Sequence, residues 1–154
     1  MNKTRYFELV AKEKALQAEN SSLYDINKSE YSELTSYQTI LQQQVFYDNR
    51  SQYIDLIQKC IDGEINCYAF QWDFFAIYYD HIKIYHKLIE NLNQAGISSE
   101  ISFYTDSKIK NFSLLIDELV PICEFLNEGL SERGFYRKME KIYSNIQKYA
   151  ESTS

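Results

Sequence analysis

The residues able to do chemistry are few, and their spacing does not suit it. His81 and His86 stand five positions apart. On a helix of about 100° per residue that interval turns them to different faces, whereas a shared metal needs histidines at i and i+4. Cys60 and Cys67 flank a short loop, but the six residues between them match no zinc knuckle, and Cys123 makes the number odd. Buried, reduced thiols are the expectation. The chain has no Gly-x-Ser-x-Gly, no P-loop, no Gly-x-Gly-x-x-Gly and no His-Glu-x-x-His. Carboxylates are abundant, yet the Glu-x-x-His signature of the di-iron bundles is missing. The sequence argues against an enzyme, and neither a cofactor nor a metal is expected.

What does recur is carboxylate. Asp48, Asp55 and Asp62 are seven apart, Glu64 follows, Asp73 and Asp80 repeat the interval, and Asp117, Glu124 and Glu128 form a third row. A seven-residue interval drifts by only about 20° on a straight helix, so each row should follow one helix face, opposite that helix's apolar stripe. Residues 36 to 95 hold 7 acids against 4 bases, 96 to 132 hold 7 against 2, and 133 to 154 reverse the balance with 5 bases against 2 acids. The net charge of −6 disfavours nucleic acid, whose affinity comes mostly from phosphate neutralisation. A basic protein, steered by the acidic rows, is the expected partner. Asp55, Asp62, Glu64, Asp73 and Asp80, gathered near one loop, are the candidate partner-binding residues. The plainer alternative is that each row is the solvated face of a bundle helix.

Rows of this kind need long helices to carry them. At 154 residues the chain is the size of one domain, and 4 Gly and 1 Pro leave few breakers. Its hydrophobic content is carried largely by 14 Tyr and 9 Phe, which can bury a ring and keep a polar tip. The central helix runs from Asn66 to Ala95. Its apolar positions Tyr68, Phe70, Phe74, Phe75, Tyr78, Tyr79, Ile82, Tyr85, Leu88 and Ile89 spread over more than half the circumference, leaving a narrow polar strip with Asp73, Asp80, Lys83 and Lys87. Such a helix should be covered by others on at least two sides.

The remaining elements follow in order. Residues 4 to 20 favour helix and 21 to 28 read as a polar linker. Tyr31, Leu34, Tyr37, Leu41 and Val45, then Tyr53, Ile54, Ile57, Cys60 and Ile61, mark either one helix to about Asp62 or two broken near Asp48 to Ser51. Gly63 suits a left-handed helix terminus and Asn66 a cap. Gly96 ends the central helix, and Ile97 to Thr105 has some β character. Asp106 caps a third long helix that Pro121 bends on its solvent side and Gly129 closes. Ser131 caps a last helix with Phe135, Met139, Ile142, Tyr143, Ile146 and Tyr149 as its buried stripe. Glu151 to Ser154 should fray. The expected fold is all-α: an antiparallel up-down four-helix bundle over residues 29–150, preceded by an N-terminal helix and linker, 1–28.

No run of apolar residues is long enough for a membrane span, and the first twenty residues have neither an apolar signal core nor a small-residue cleavage site. The cytoplasm is the expected location. The alternative is the plastid stroma, since abundant Ile, Asn, Lys, Tyr and Phe suit an AT-rich coding genome. The run Tyr53-Ile-Asp-Leu-Ile-Gln-Lys-Cys-Ile-Asp-Gly-Glu-Ile-Asn-Cys-Tyr-Ala-Phe resembles the opening of the colicin D-like bacterial self-protective immunity proteins. Asp62-Gly63-Glu64-Ile65 followed by Phe70 is the shared part, and the resemblance extends over roughly residues 50 to 149. It implies a small acidic bundle that neutralises a ribonuclease toxin by covering its basic active site. The N-terminal extension and Pro121 depart from that pattern. An organelle- or plastid-encoded structural or assembly factor is the second expectation, and it would keep part of the aromatic surface exposed until a partner covers it.

Overall fold

The computed structural model describes residues 2–96 and 100–152. It is all-helical. Among the described residues there are seven α-helices: α1 Lys3–Ala18, α2 Leu23–Ile26, α3 Lys28–Asp48, α4 Arg50–Ile61, α5 Cys67–Ala95, α6 Ser107–Glu124 and α7 Glu132–Ile146, followed by a 3-10 helix, Gln147–Ser152. The described residues contain no strand, only an isolated bridge between Leu126 and Leu130.

Local chemistry sets most of the boundaries. Asn2 Oδ1 accepts from the Thr4 and Arg5 amides at the start of α1, and Asn66 Oδ1 from the Ala69 amide at the start of α5. Asp106 Oδ1 accepts from the Ile109 amide, and Ser131 Oγ from the Gly134 amide. Each satisfies an amide that the helix itself leaves without a partner. The expected linker contains the one-turn helix α2, capped by Ser22. The long second stripe is two helices, parted at Asn49, whose side-chain amide donates to the Val45 carbonyl at 2.8 Å. Gly63 and Gly96 take φ of 76° and 71°, the left-handed termination that glycine allows without strain.

Two boundaries depart from the sequence reading. Helix α6 stops at Glu124 and does not run on to Gly129. The Leu130 amide donates to the Phe125 carbonyl and the Asn127 amide to the Leu130 carbonyl, while Asn127 adopts a positive φ of 66°. The turn therefore satisfies its own backbone and ends the helix early. The described part of the expected β-like connection, residues 100 to 105, is irregular and forms no ladder; Ile97 to Ser99 lie outside the described residues, as do the last residues of the tail expected to fray.

The chain divides into two units, residues 1–42 with 83–105 and residues 43–82 with 106–154. In the first, Tyr6, Leu9 and Val10 of α1 share a core with Leu34, Tyr37, Ile40 and Leu41 of α3, with Leu92 and with Phe103. Arg5 ties α1 to α3 from outside: its Nε donates to both Glu33 oxygens at 2.8 and 2.9 Å, and its Nη2 reaches Glu30, which also takes Lys12 at 2.7 Å. In the second unit α4, the first half of α5, α6 and α7 share one core. Phe70 and Phe74 of α5, Phe112, Ile116 and Leu119 of α6, and Phe135 and Met139 of α7 are buried within it. Within this unit α4 packs against α7 and the 3-10 helix that follows it.

Candidate protein-docking face

Among the described residues the buried side of the larger unit contains a polar pair. Tyr53 of α4 and His81 of α5 are almost wholly enclosed, and the tyrosine hydroxyl lies 2.6 Å from His81 Nδ1. Burial pushes the Tyr53 hydroxyl up and the His81 imidazole down from their ordinary values. A neutral phenol donating to a neutral imidazole satisfies both. The contact joins α4 to α5 inside the core, and in that tautomer the Nε2 of His81 carries the ring's N–H.

The cysteines are equally inert. Cys60, Cys67 and Cys123 are free and buried, and burial pushes Cys60 up to about 11 and Cys123 up to about 12. Thiols held protonated in this way are poor nucleophiles and poor metal ligands. Among the described residues no three His, Cys, Asp or Glu side chains are gathered as a metal site requires.

The carboxylates face water. Asp55 lies on the outer side of α4, Asp62 at its C-cap, Glu64 in the turn after it, and Asp73 and Asp80 on α5; all five are exposed. The ion pairs among the described residues cluster around Arg5 and Lys12 of α1, and none involves these five. Asp62 accepts a bond from Gln58 Nε2 at 2.8 Å, one helical turn back. Asp62 and Glu64 share a turn. No hydrogen bond or ion pair among the described residues joins the α4 row to the α5 row. Asp117 of α6 belongs to the third row, and partial burial holds its carboxyl above the usual carboxylate range. It and Glu124 also act on the Tyr78 hydroxyl, which burial chiefly pushes up.

The sequence reading missed the most exposed large side chain in the larger unit. Trp72 is 80% exposed, and Tyr68 and Tyr79 on the same helix are 41% and 54% exposed. With half-buried Phe75, whose ring stacks on Tyr79 at 5.7 Å, they occupy positions i, i+4, i+7 and i+11 of α5. At about 100° per residue these four fall within about 60° of arc, an aromatic ridge with Asp73 and Asp80 about a third of a turn from its centre. Other helices of the larger unit, α4, α6 and α7, share the core with α5, and this stripe is the part of the helix they leave open. Phe70 and Phe74 are fully buried, while Trp72 and Tyr79 on the far side are amphipathic and tolerate exposure, and the Tyr68 hydroxyl accepts a hydrogen bond from the Asn127 side-chain amide. The spacing 68, 72, 75, 79 was readable in the sequence as a second aromatic stripe, distinct from the buried one.

No helix among the described residues is long and apolar enough to cross a membrane. No protein-family model, curated protein or solved structure matches this chain. The functional reading therefore rests on the geometry of the α5 ridge and the carboxylates near it.

Proposed function

We propose that this chain is a non-enzymatic protein-binding module that receives a basic protein on the α5 face. Trp72, Tyr68 and Tyr79 serve as anchors, and Asp73 and Asp80 set charge and register. The observation that carries this reading is the aromatic ridge. Trp and Tyr are the residue types that dominate binding energy when a partner encloses them, and a row of them on a helix at i, i+4, i+7 and i+11 is the pattern used in helix-to-groove docking. The unpaired carboxylates supply long-range attraction and reject acidic proteins. Asp55, Asp62 and Glu64 extend the acidic field beyond the ridge. Within the larger unit, the reading takes α4, α5, α6 and α7 as an antiparallel up-down bundle that holds the ridge rigid.

The narrower form, inhibition of a basic nuclease toxin, draws on the resemblance over Asp62-Gly63-Glu64-Ile65 and Phe70. The exposure of Trp72 and its neighbours is what favours the second form, a structural or assembly factor whose aromatic surface is covered only in a complex.

Capture from native-host extract onto immobilised protein tests the reading, with Trp72→Ala, Asp73→Lys/Asp80→Lys and Asp55→Lys/Asp62→Lys run beside the parent. A basic protein should be retained by the parent, released by raised salt and lost with Trp72→Ala. Truncating one such anchor typically costs about 2 kcal/mol or more, some 30-fold in Kd. Retention unchanged by both Trp72→Ala and the Asp73/Asp80 reversal would move the docking surface elsewhere. The neighbouring genes separate the two forms: a toxin gene alongside selects the inhibitor.

A further inference from the structure

The basic end of the chain carries a second feature. Between α6 and α7 lies an open groove of about 620 Å3. Its floor and walls are Pro121, Ile122, Phe125, Leu130 and Ile142, and Phe125 is 53% exposed. A Cβ placed on Gly129, at the end of the groove, would meet nothing within 4 Å. Helix α6 ends at Glu124, and Phe125, Gly129 and Leu130 of the turn that follows line the groove.

The groove's rim is charged unevenly. Lys138 and Lys141, three residues apart on α7 and therefore on neighbouring positions of one face, stand on one side, and Glu118 of α6 on the other. Both lysines are exposed, and neither ammonium group enters a hydrogen bond or ion pair among the described residues. A protein of net charge −6 repels anions from most of its surface, so two free ammonium groups beside an apolar floor form a local exception. An apolar concavity of this volume with a few convergent polar groups is the usual form of a small-ligand site.

We infer that the α6–α7 groove binds a single-chain amphiphilic carboxylate, its hydrocarbon tail along Ile122, Phe125, Leu130 and Ile142 and its headgroup between Lys138 and Lys141. Charge complementarity selects the occupant: the ammonium pair attracts an anion, and Glu118 opposite keeps the headgroup on the α7 side. A cationic amphiphile of equal length would gain the same apolar contact and lose the headgroup attraction.

Fluorescence titration with 11-(dansylamino)undecanoate tests this, followed by displacement with dodecanoate or with dodecyltrimethylammonium below their micelle concentrations. The expected result is saturable one-to-one binding, displacement by dodecanoate at least tenfold more effective than by the cation, and at least tenfold weaker binding in Lys138→Glu/Lys141→Glu. These positions are exposed, and unchanged far-ultraviolet circular dichroism verifies that the double variant folds. Trp72→Ala should bind the probe as the parent does, which separates this site from the α5 ridge. Equal displacement by both headgroups, indifference to the double reversal, or loss of binding in Trp72→Ala would each overturn the inference. So would sedimentation showing self-association that Leu130→Gln abolishes, because the groove would then belong to a second copy.

Discussion

Tyr53 and His81 meet inside the larger core, where the tyrosine hydroxyl and His81 Nδ1 answer for each other. Leaving a buried donor or acceptor unmatched costs about 1–3 kcal/mol, whereas removing both together can be nearly neutral. Tyr53→Phe and His81→Leu should therefore each destabilise by about that amount. The double variant should lose clearly less than their sum, measured by denaturant unfolding as a double-mutant cycle. The same pair sets a pH dependence. His81 has a folded pKa below its ordinary 6.5, so the unfolded chain takes up a proton that the folded one resists. Its contribution is complete above about 6.5 and declines as pH falls from there toward the lower folded value. Unfolding free energy measured from pH 7.5 down to 5.5 should fall, and the fall assignable to this residue should vanish in His81→Leu. The spacing of His81 and His86 spoke against a shared metal, but the partner of His81 lies 28 residues away and no local pattern announces it.

At the scale of the element, the legible features were the ones that chemistry decides within four residues. The caps at Asn66, Asp106 and Ser131 and the glycine terminus at Gly63 stand where the spacing puts them, because each depends on one side chain and its nearest amides. Asn66→Ala should cost about 1 kcal/mol in thermal or denaturant unfolding, since Asn66 Oδ1 alone caps the Ala69 amide there. The end of α6 was not legible. Helix propensity continues through Phe125 and Leu126, but Leu126 is buried in the larger core and the turn closes on itself through Leu130. The exposure of α5 escaped for a related reason. Periodicity identifies a helix face, but which of two aromatic stripes is covered depends on neighbours far along the chain. Trp72→Ala should change unfolding free energy by no more than about 0.5 kcal/mol, because the indole is mostly in water. A strongly destabilised variant would mean that the ridge is packed, and its role in docking would fall with it.

The whole molecule holds two cores of unequal size. The core of residues 43–82 and 106–154 has roughly twice as many buried side chains as the core built on α1, α3 and Phe103. Local stability follows the density of buried apolar contact, so native-state hydrogen exchange should find the α1 amides opening at lower free energy than those of α6. Uniform protection across both would show that they open as one cooperative body. The charge balance of the chain was fully legible, since it needs only counting. The gap beside Lys138 and Lys141 was not, because it is a distance between two helices.

Three sulfur atoms sealed inside the larger core have a practical consequence. An alkylating reagent such as iodoacetamide can reach Cys60, Cys67 or Cys123 only when that core opens, so the rate at which the intact mass increases becomes a clock for that opening. The smaller unit carries no sulfhydryl among its residues and leaves no mark on the trace. A compound that seats itself on the larger unit would slow the clock in proportion to its occupancy, and mass spectrometry alone could then rank candidate binders in an unfractionated mixture.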